Sequence, residues 1–234
     1  MGKLYLVLLR TLVTRARLAI FLAAGGLLDL IAYAIRVQDY AHRAADLSSV
    51  FTTVLLPLLV PITALVFATS CLGDLAGDGT LVYVWLRPVG RWKVILVALA
   101  ATLSVALPLA LAPALLATEL GGGSPRMLGA VLAAAALATA AYSAVFIGLG
   151  LRIRQALIVG LLYVLLWEAV IAGLGKGVGT FSIRLYTLTL YSRMAGDHVA
   201  PGSLELNVLL LVLTCVITAG LALSTLLLTR QDVA

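Results

Sequence analysis

The sequence predicts an all-α integral membrane protein that forms a single transmembrane domain of six spanning helices over residues 1–234. Of its 234 residues, 63% are hydrophobic and 11% are charged, and the mean hydropathy is +1.15. A soluble domain carries about 25% charged and 45–50% apolar residues, so lipid must be the solvent for much of this chain. The apolar runs are continuous rather than alternating, which favours helices over the strands of a transmembrane barrel.

Six apolar runs approach or exceed the ~20 residues that a spanning helix needs. They lie at about 18–35, 50–73, 94–118, 127–151, 156–174 and 206–228. Prolines fall inside the second and third runs, where neighbouring helices can satisfy the carbonyls that a proline leaves unpaired. The fourth run is rich in alanine, which favours close approach between helices.

We expect a multi-pass protein of the plasma (inner) membrane, and the positions of the basic residues predict that both termini lie in the cytoplasm. Ten of the 16 Lys and Arg residues lie on the side of the termini, and six lie on the other side. Four of the ten precede the first span, where they weigh most in setting the orientation: Lys3, Arg10, Arg15 and Arg17. Because the positive charge flanks the apolar runs, the net charge of +6 does not indicate a nucleic-acid partner.

Residues 3–17 have the pattern of a basic amphipathic helix. Leucine and tyrosine side chains share one side of the helical wheel, while Lys3, Arg10, Thr14 and Arg17 share the opposite side. A helix of this kind lies in the plane of the lipid headgroups with its apolar side toward the acyl chains. One alternative is a frayed extension of the first span. A cleaved signal peptide is disfavoured because no short apolar region ending in a cleavage site follows the basic residues.

Residue types that hold metals, form disulfides or bind nucleotides are sparse and poorly spaced. Cys71 and Cys215 lie in apolar runs without CxxC or Cys/His spacing, and His42 and His198 are isolated in loops. Lys176 lies in a glycine-rich run but precedes glycine rather than Ser or Thr, so the run is not a phosphate-binding loop. We therefore predict no catalytic residue, no metal site and no cofactor in this chain.

The segment 175–204, predicted to be external, is too apolar in its middle for a free loop. Alternate glycines make its start flexible, and large apolar residues follow between 181 and 190. We expect a re-entrant segment that folds back onto the membrane surface or dips into it against protein. Its pattern fits neither the helical nor the strand period well, so short helices and irregular structure both stay open.

Two acidic residues fall within predicted spans, Asp29 in the first and Glu168 in the fifth. A carboxyl group inside a membrane is costly, which makes each of them a candidate for a proton or cation relay or for a contact to a polar substrate. The alternative is that each bonds to neighbouring helices or faces a water-filled cavity without taking part in transport. Together they form the predicted intramembrane polar site.

The loop 74–93 has the pattern of a short cytoplasmic helix over about 78–88. Asp74 and Asp78 are both suitable N-caps, and Pro88 disfavours helical geometry at the preceding residue, which ends the helix. Residues 91–93 (Arg-Trp-Lys) form an interfacial anchor before the third span. One side of the helix is apolar and consists of Leu81, Val82, Trp85 and Leu86. The alternative is an interfacial helix that only rests on lipid.

This loop also carries a family resemblance. Asp78-Gly79-Thr80-Leu81 followed by Arg87-Pro88-Val89-Gly90-Arg91 resembles the signature of ABC-2 type ABC transporter permeases. In that family a similar stretch follows the second of six spans and forms the coupling helix, which docks in a groove of a cytoplasmic ATPase. The amphipathic N-terminal helix, the six spans and the long external segment match the family's layout. Residues 73–77 are less charged than is usual there, and Gly90 stands where Ser is common.

The resemblance implies a non-catalytic permease subunit, in an exporter, that a separate ABC ATPase drives with ATP and Mg²⁺. It also implies a second permease copy, in a homodimer or heterodimer, surrounded by membrane lipid. The residues that it implies for contact with the ATPase are Asp78, Gly79, Thr80, Leu81, Tyr83, Leu86, Arg87, Pro88 and Arg91. The residues alone leave two alternatives, an ion-coupled secondary transporter that uses Asp29 and Glu168, and a membrane scaffold for a cytoplasmic partner.

Overall fold

The computed structural model describes residues 2–38, 42–77, 90–168, 182–196 and 205–230, and every regular element in these ranges is a helix. The all-α class is therefore confirmed for the described part of the chain. In chain order the elements are α1 (Gly2–Leu12), α2 (Arg15–Gln38), α3 (Arg43–Val50), the π-helical segment π1 (Phe51–Leu59), α4 (Val60–Gly77), α5 (Arg91–Gly121), α6 (Pro125–Arg152), α7 (Ala156–Leu162), the π-helical segment π2 (Tyr163–Glu168), α8 (Ile183–Ala195) and α9 (Leu206–Arg230).

Five helices in the described ranges are long and apolar enough to cross a membrane. Each contains one of the predicted spans and is longer than it. The five are Arg15–Val37, Arg43–Gly73, Arg91–Gly121, Pro125–Arg152 and Leu206–Thr229. The chain thus has the helices of a membrane-embedded, multi-pass protein.

The fifth predicted span, 156–174, is described only as far as Glu168. There α7 and π2 form one apolar helix, Ala156–Glu168, which is shorter than the ~20 residues that a crossing helix needs. Its last residue contacts Tyr142, which lies near the middle of α6. Within the described ranges this helix therefore ends inside the bundle. Residues 169–174 lie outside those ranges, and a sixth span stays a prediction.

Local capping chemistry sets the ends of the long helices. At the start of α6 the Ser124 hydroxyl accepts a hydrogen bond from the Met127 backbone N–H at 3.2 Å, and Pro125 occupies the first helical position, where its missing N–H costs nothing. Helix α5 ends at Gly121 and is capped by Gly122, whose φ of 72° is the left-handed conformation that glycine adopts without strain. Pro108 and Pro113 lie within α5 without ending it.

The second long helix begins at Arg43 and contains the π-helical segment π1 around Pro57. A proline cannot donate to the preceding turn, and a local change to π geometry is one way in which a membrane helix accommodates it. At the start of π1 the hydroxyls of Thr52 and Thr53 donate to the carbonyls of Ser48 and Ser49, at 2.9 and 2.6 Å. These bonds give both threonine hydroxyls an acceptor within their own helix.

Helix α6 lies at the centre of the bundle, where it packs against α4, α5, α8 and α9. Its small residues let neighbouring backbones come close. A Cβ atom on Gly150 would lie only 2.8 Å from the Thr69 carbonyl oxygen of α4. On another side, a Cβ on Gly220 of α9 would lie 3.0 Å from the Ala144 carbonyl carbon. Both contacts require glycine because there is no room for a side chain.

Replacing Gly150 with alanine is expected to lower the free energy of unfolding by about 1–3 kcal/mol, since the added methyl group must push α4 and α6 apart. Gly129, on the same helix, has no atom within 4 Å of an added Cβ. Gly129→Ala is therefore a matched control that should leave the stability unchanged or raise it slightly. The midpoint of unfolding in a titration with denaturing detergent measures both. Equal midpoints for the two variants would contradict the close packing at Gly150.

Helix α1 ends at Leu12, earlier than the predicted end at residue 17, and α2 begins at Arg15. The break falls at two β-branched residues, Val13 and Thr14, and the Thr14 carbonyl accepts the first hydrogen bond of α2, from Leu18. Part of the apolar side of α1 packs on protein, because α1 lies against α4 and α5 and buries Leu8 and Leu12 completely. Leu6 and Val7 stay about half exposed.

Within the segment 175–204 the structure describes residues 182–196 and finds a helix, α8, where the sequence had left helix and irregular structure open. Helix α8 packs against α6, α9 and π1 and buries Thr187, Leu190 and Tyr191. The Tyr191 hydroxyl donates to the Ser48 hydroxyl at 3.2 Å, and the Arg126 Nε donates to the Met194 carbonyl at 2.9 Å. The helix is thus held against the bundle along its length.

Candidate functional site

Glu168, the last residue of π2, lies in a buried polar cluster with Tyr142, Tyr163 and Arg184, called the Glu168 cluster below. The side chain of Glu168 is 1% exposed. The Tyr142 hydroxyl donates to its Oε2 atom, and the Tyr163 hydroxyl donates to its Oε1 atom at 3.0 Å. Each carboxyl oxygen therefore has its own phenol donor.

The first turn of α8 forms the other side of the Glu168 cluster. The backbone N–H groups of Ile183 and Arg184, the first residues of α8, lie close to the carboxyl group. The Arg184 Nη1 atom donates to the backbone carbonyl of Glu168 at 3.0 Å. The free N–H groups at a helix N-terminus favour a negative group, so the end of π2 and the start of α8 are complementary.

The local fold explains how these side chains meet. A π-helix brings residues five apart to one side, and Tyr163 and Glu168 are five residues apart in π2. The Tyr142 ring stacks on Phe146 with centroids 5.8 Å apart, and Phe146 contacts the Tyr163 ring edge-on at 6.3 Å. The three rings thus hold both phenol groups beside the carboxyl group.

The arrangement makes the Glu168 cluster a junction rather than an open binding site. Both carboxyl oxygens are occupied by donors from this chain, and a buried polar group is stable when it is satisfied in this way. The bonds join π2, α6 and α8, three elements that are separated in sequence. Of the readings that the sequence left open for Glu168, bonding to neighbouring helices is the one that this geometry favours.

Asp29 lies apart from the Glu168 cluster, so the two residues of the predicted intramembrane site have different neighbours. Asp29 is on α2, which packs mainly on α5, whereas π2 packs on α7 and π1. The side chain of Asp29 is 9% exposed, and its Oδ1 atom has no hydrogen-bond partner among the described residues. Such a group is costly in an apolar surrounding unless a ligand, water or another chain satisfies it.

Most of the predicted ATPase-contact residues, 78–88, lie outside the described residues, so their helix stays a prediction. Arg91 is described and begins α5, where its Nη1 atom donates to the Thr229 carbonyl of α9 at 2.6 Å. The start of α5 is therefore bonded to the end of the last helix. Among the described residues there is no group of three or more His, Cys, Asp or Glu side chains that could hold a metal ion.

Three members of the Glu168 cluster were missed by the sequence reasoning, namely Tyr142, Tyr163 and Arg184. Tyr142 is a single phenol in a helix of small residues, a pattern that marks it as unusual but does not identify its partner. The spacing of five between Tyr163 and Glu168 would place them together only if the π-helical turn were already known.

Comparison with known proteins adds no relative. The sequence matches no model of a protein family and no curated protein.

Proposed function

We propose that this chain is the permease subunit of an ABC-2 type transporter, an exporter that forms the translocation pathway and is driven by a separate cytoplasmic ATPase. The observation that carries the proposal is the position of the stretch Asp78-Gly-Thr-Leu to Arg87-Pro-Val-Gly-Arg91. It falls between α4 and α5, two consecutive long apolar helices, where a coupling helix would be attached to both.

The packing around that stretch supports a mechanical role. Helix α4 lies against α6 at the Gly150 contact, and α5 is bonded to α9 through Arg91 and Thr229. A displacement of residues 78–90 would therefore act directly on α4 and α5 and, through them, on α6 and α9. ATP binding in the partner would favour one arrangement of the helices by binding it more tightly. ATP and Mg²⁺ belong to the partner in this proposal, and this chain is not an enzyme.

The exposed apolar surfaces support a second permease copy and lipid as neighbours. Helix α2 exposes Ile20, Leu22, Leu27 and Leu30 to more than half, and α9 exposes Leu211, Leu223 and Leu226 similarly. A membrane protein can leave such surfaces to lipid or cover part of them with another subunit. In this proposal the assembly has two permeases, as a homodimer or heterodimer, in the plasma (inner) membrane with both termini cytoplasmic.

The proposal is tested by co-purification. An ATPase encoded beside this chain, with a phosphate-binding loop and an ABC signature, should remain bound to the tagged chain after extraction in mild detergent. Reconstitution of the pair in liposomes should give ATP hydrolysis that depends on both subunits. Transport by the purified chain without any ATPase would overturn the proposal.

Asp29 supports a second candidate, an ion-coupled secondary transporter, because one of its carboxyl oxygens is buried without a partner among the described residues. If that candidate is right, Asp29→Asn should remove the dependence of uptake into vesicles on a proton gradient, since an amide cannot exchange a proton. Under the ABC proposal the variant should leave ATP hydrolysis within about twofold of the unaltered complex, because Asn keeps the size of the side chain and removes a charge from a carboxyl group whose Oδ1 atom has no partner among the described residues.

A further inference from the structure

A cavity of about 500 Å³ opens where the first turn of α2, the last turns of α4 and α6, and the start of α7 come together. This end of the bundle also carries the Arg91–Thr229 bond between α5 and α9. The basic residues predict that it is the cytoplasmic end. Its volume falls within the ~300–1,000 Å³ that is usual for small-molecule sites.

Three arginines line the cavity. Arg17 comes from the first turn of α2, Arg152 from the last turn of α6, and Arg154 from the connection to α7. The described residues of the lining include no Asp or Glu. Positive groups around a cavity with apolar walls strengthen the positive electrostatic potential inside it. Guanidinium groups also form paired hydrogen bonds with phosphate oxygens. The lining therefore selects an anion with several oxygens.

The floor of the cavity is rigid. Gly73 and Gly150 lie in it, and a Cβ on Gly73 would approach the Gly150 carbonyl oxygen to 3.3 Å. Thr69 and Ser70, both nearly buried, add hydroxyl groups beside them. Because α4 and α6 touch backbone to backbone here, Arg152 extends from a helix that is closely packed against α4.

Apolar residues on the α7 side indicate where the anion comes from. Ile153 and Leu157 line the cavity beside Arg152 and Arg154, and Leu157 is 44% exposed. Leu157 lies in the first turn of the apolar helix Ala156–Glu168. A small soluble anion has no apolar part that would contact these side chains. A phospholipid, by contrast, would place its phosphate at the arginines and its glycerol and acyl chains along α7.

We propose that this cavity binds the phosphate group of an anionic phospholipid of the leaflet at that end of the bundle. Basic pockets between transmembrane helices on the cytoplasmic side are suited to such headgroups. Inorganic phosphate shares the same chemistry and is the alternative source of the anion. The site is independent of the ATPase proposal, because its residues lie on α2, α4, α6 and α7 and need no partner protein.

The test uses the full chain in uncharged detergent, titrated with phosphatidylglycerol, phosphatidylcholine or inorganic phosphate and followed by native mass spectrometry. Phosphatidylglycerol should bind more tightly than phosphatidylcholine. A variant with Arg17→Gln, Arg152→Gln and Arg154→Gln should lose about tenfold or more of its phosphatidylglycerol affinity, because charge-assisted hydrogen bonds to phosphate are removed. If the binding of inorganic phosphate depends on the three arginines and the binding of phosphatidylglycerol does not, the site would be assigned to free phosphate.

The matched control removes the same charge at the same predicted side of the membrane, outside the cavity, through Arg10→Gln, Arg15→Gln and Lys93→Gln. The affinity of this control variant for phosphatidylglycerol should fall less than about threefold, since the changes weaken only the general attraction of the surface for anionic lipid. Equal losses in the two triple variants, or no arginine-dependent binding of either probe, would overturn the proposal. If the cavity variant fails to fold, Arg154→Gln against Lys93→Gln repeats the comparison with single exposed residues, and equal affinities would again overturn it.

Discussion

Replacing Val84 with proline is expected to abolish retention of the ATPase by this chain, whereas Val84→Ala is expected to preserve it. Residue 84 lies inside the predicted coupling helix 78–88. There a proline removes the hydrogen bond to the carbonyl of residue 80 and costs about 3 kcal/mol, which a short helix cannot absorb. Alanine is a good helix former, so comparing the two variants shows whether retention depends on the helix or on the Val84 side chain. The ratio of ATPase to tagged chain after affinity purification measures the effect.

Leu86→Asp tests the same helix through its apolar side. The substitution places a charge among Leu81, Val82 and Trp85 and should reduce the retained ATPase at least about tenfold, as loss of an interface hot spot does. Leu86→Met keeps the volume and polarity and should retain the ATPase. Extraction from the membrane fraction in all four variants checks that the chain still inserts. Normal retention by Val84→Pro and Leu86→Asp would mean that this segment is not the coupling helix.

The long helices of this chain could be located from the sequence because two of their determinants are local. The first is the length of an apolar run, which must match the membrane. The second is capping at the helix ends. Gly122 caps the end of α5, and Ser124 and Pro125 mark the start of α6. The observed ends differ from the predicted ones by several residues because a helix continues past its apolar run until such a signal stops it. Helix α1 ends before its predicted end, and the apolar pattern of residues 3–17 does not mark the break at Val13 and Thr14.

The polar contacts could not be located in this way because they depend on which helices become neighbours. Hydropathy shows that Glu168 needs a partner but carries no information that Tyr142, on another helix, supplies it. The shift in register at π2, which brings Tyr163 to the same carboxyl group, has no signal in the apolar pattern. The cavity likewise combines Arg17 with Arg152 and Arg154, which the sequence places more than a hundred residues apart.

Removing the carboxyl group of Glu168 is expected to destabilise the fold. Glu168→Leu leaves the buried hydroxyls of Tyr142 and Tyr163 without an acceptor. Unsatisfied buried groups cost ~1–3 kcal/mol each in soluble proteins and less in membranes, so a total loss of about 2–4 kcal/mol is expected. Glu168→Gln keeps one oxygen acceptor and should lower the free energy of unfolding by only about 1 kcal/mol. The midpoint of unfolding in denaturing detergent measures both variants.

Tyr142→Phe and its control show whether the loss arises from the hydrogen bond. Tyr142→Phe leaves one carboxyl oxygen without its phenol donor, and combining it with Glu168→Leu should cost less than the sum of the two single changes because both remove the bond between Tyr142 and Glu168. Tyr33→Phe makes the same chemical change at an exposed tyrosine and should stay within about 0.5 kcal/mol of the unaltered chain. Additive losses would contradict the junction. If Glu168→Leu changed transport without lowering the midpoint of unfolding, Glu168 would contact the substrate instead of joining π2 to α6 and α8.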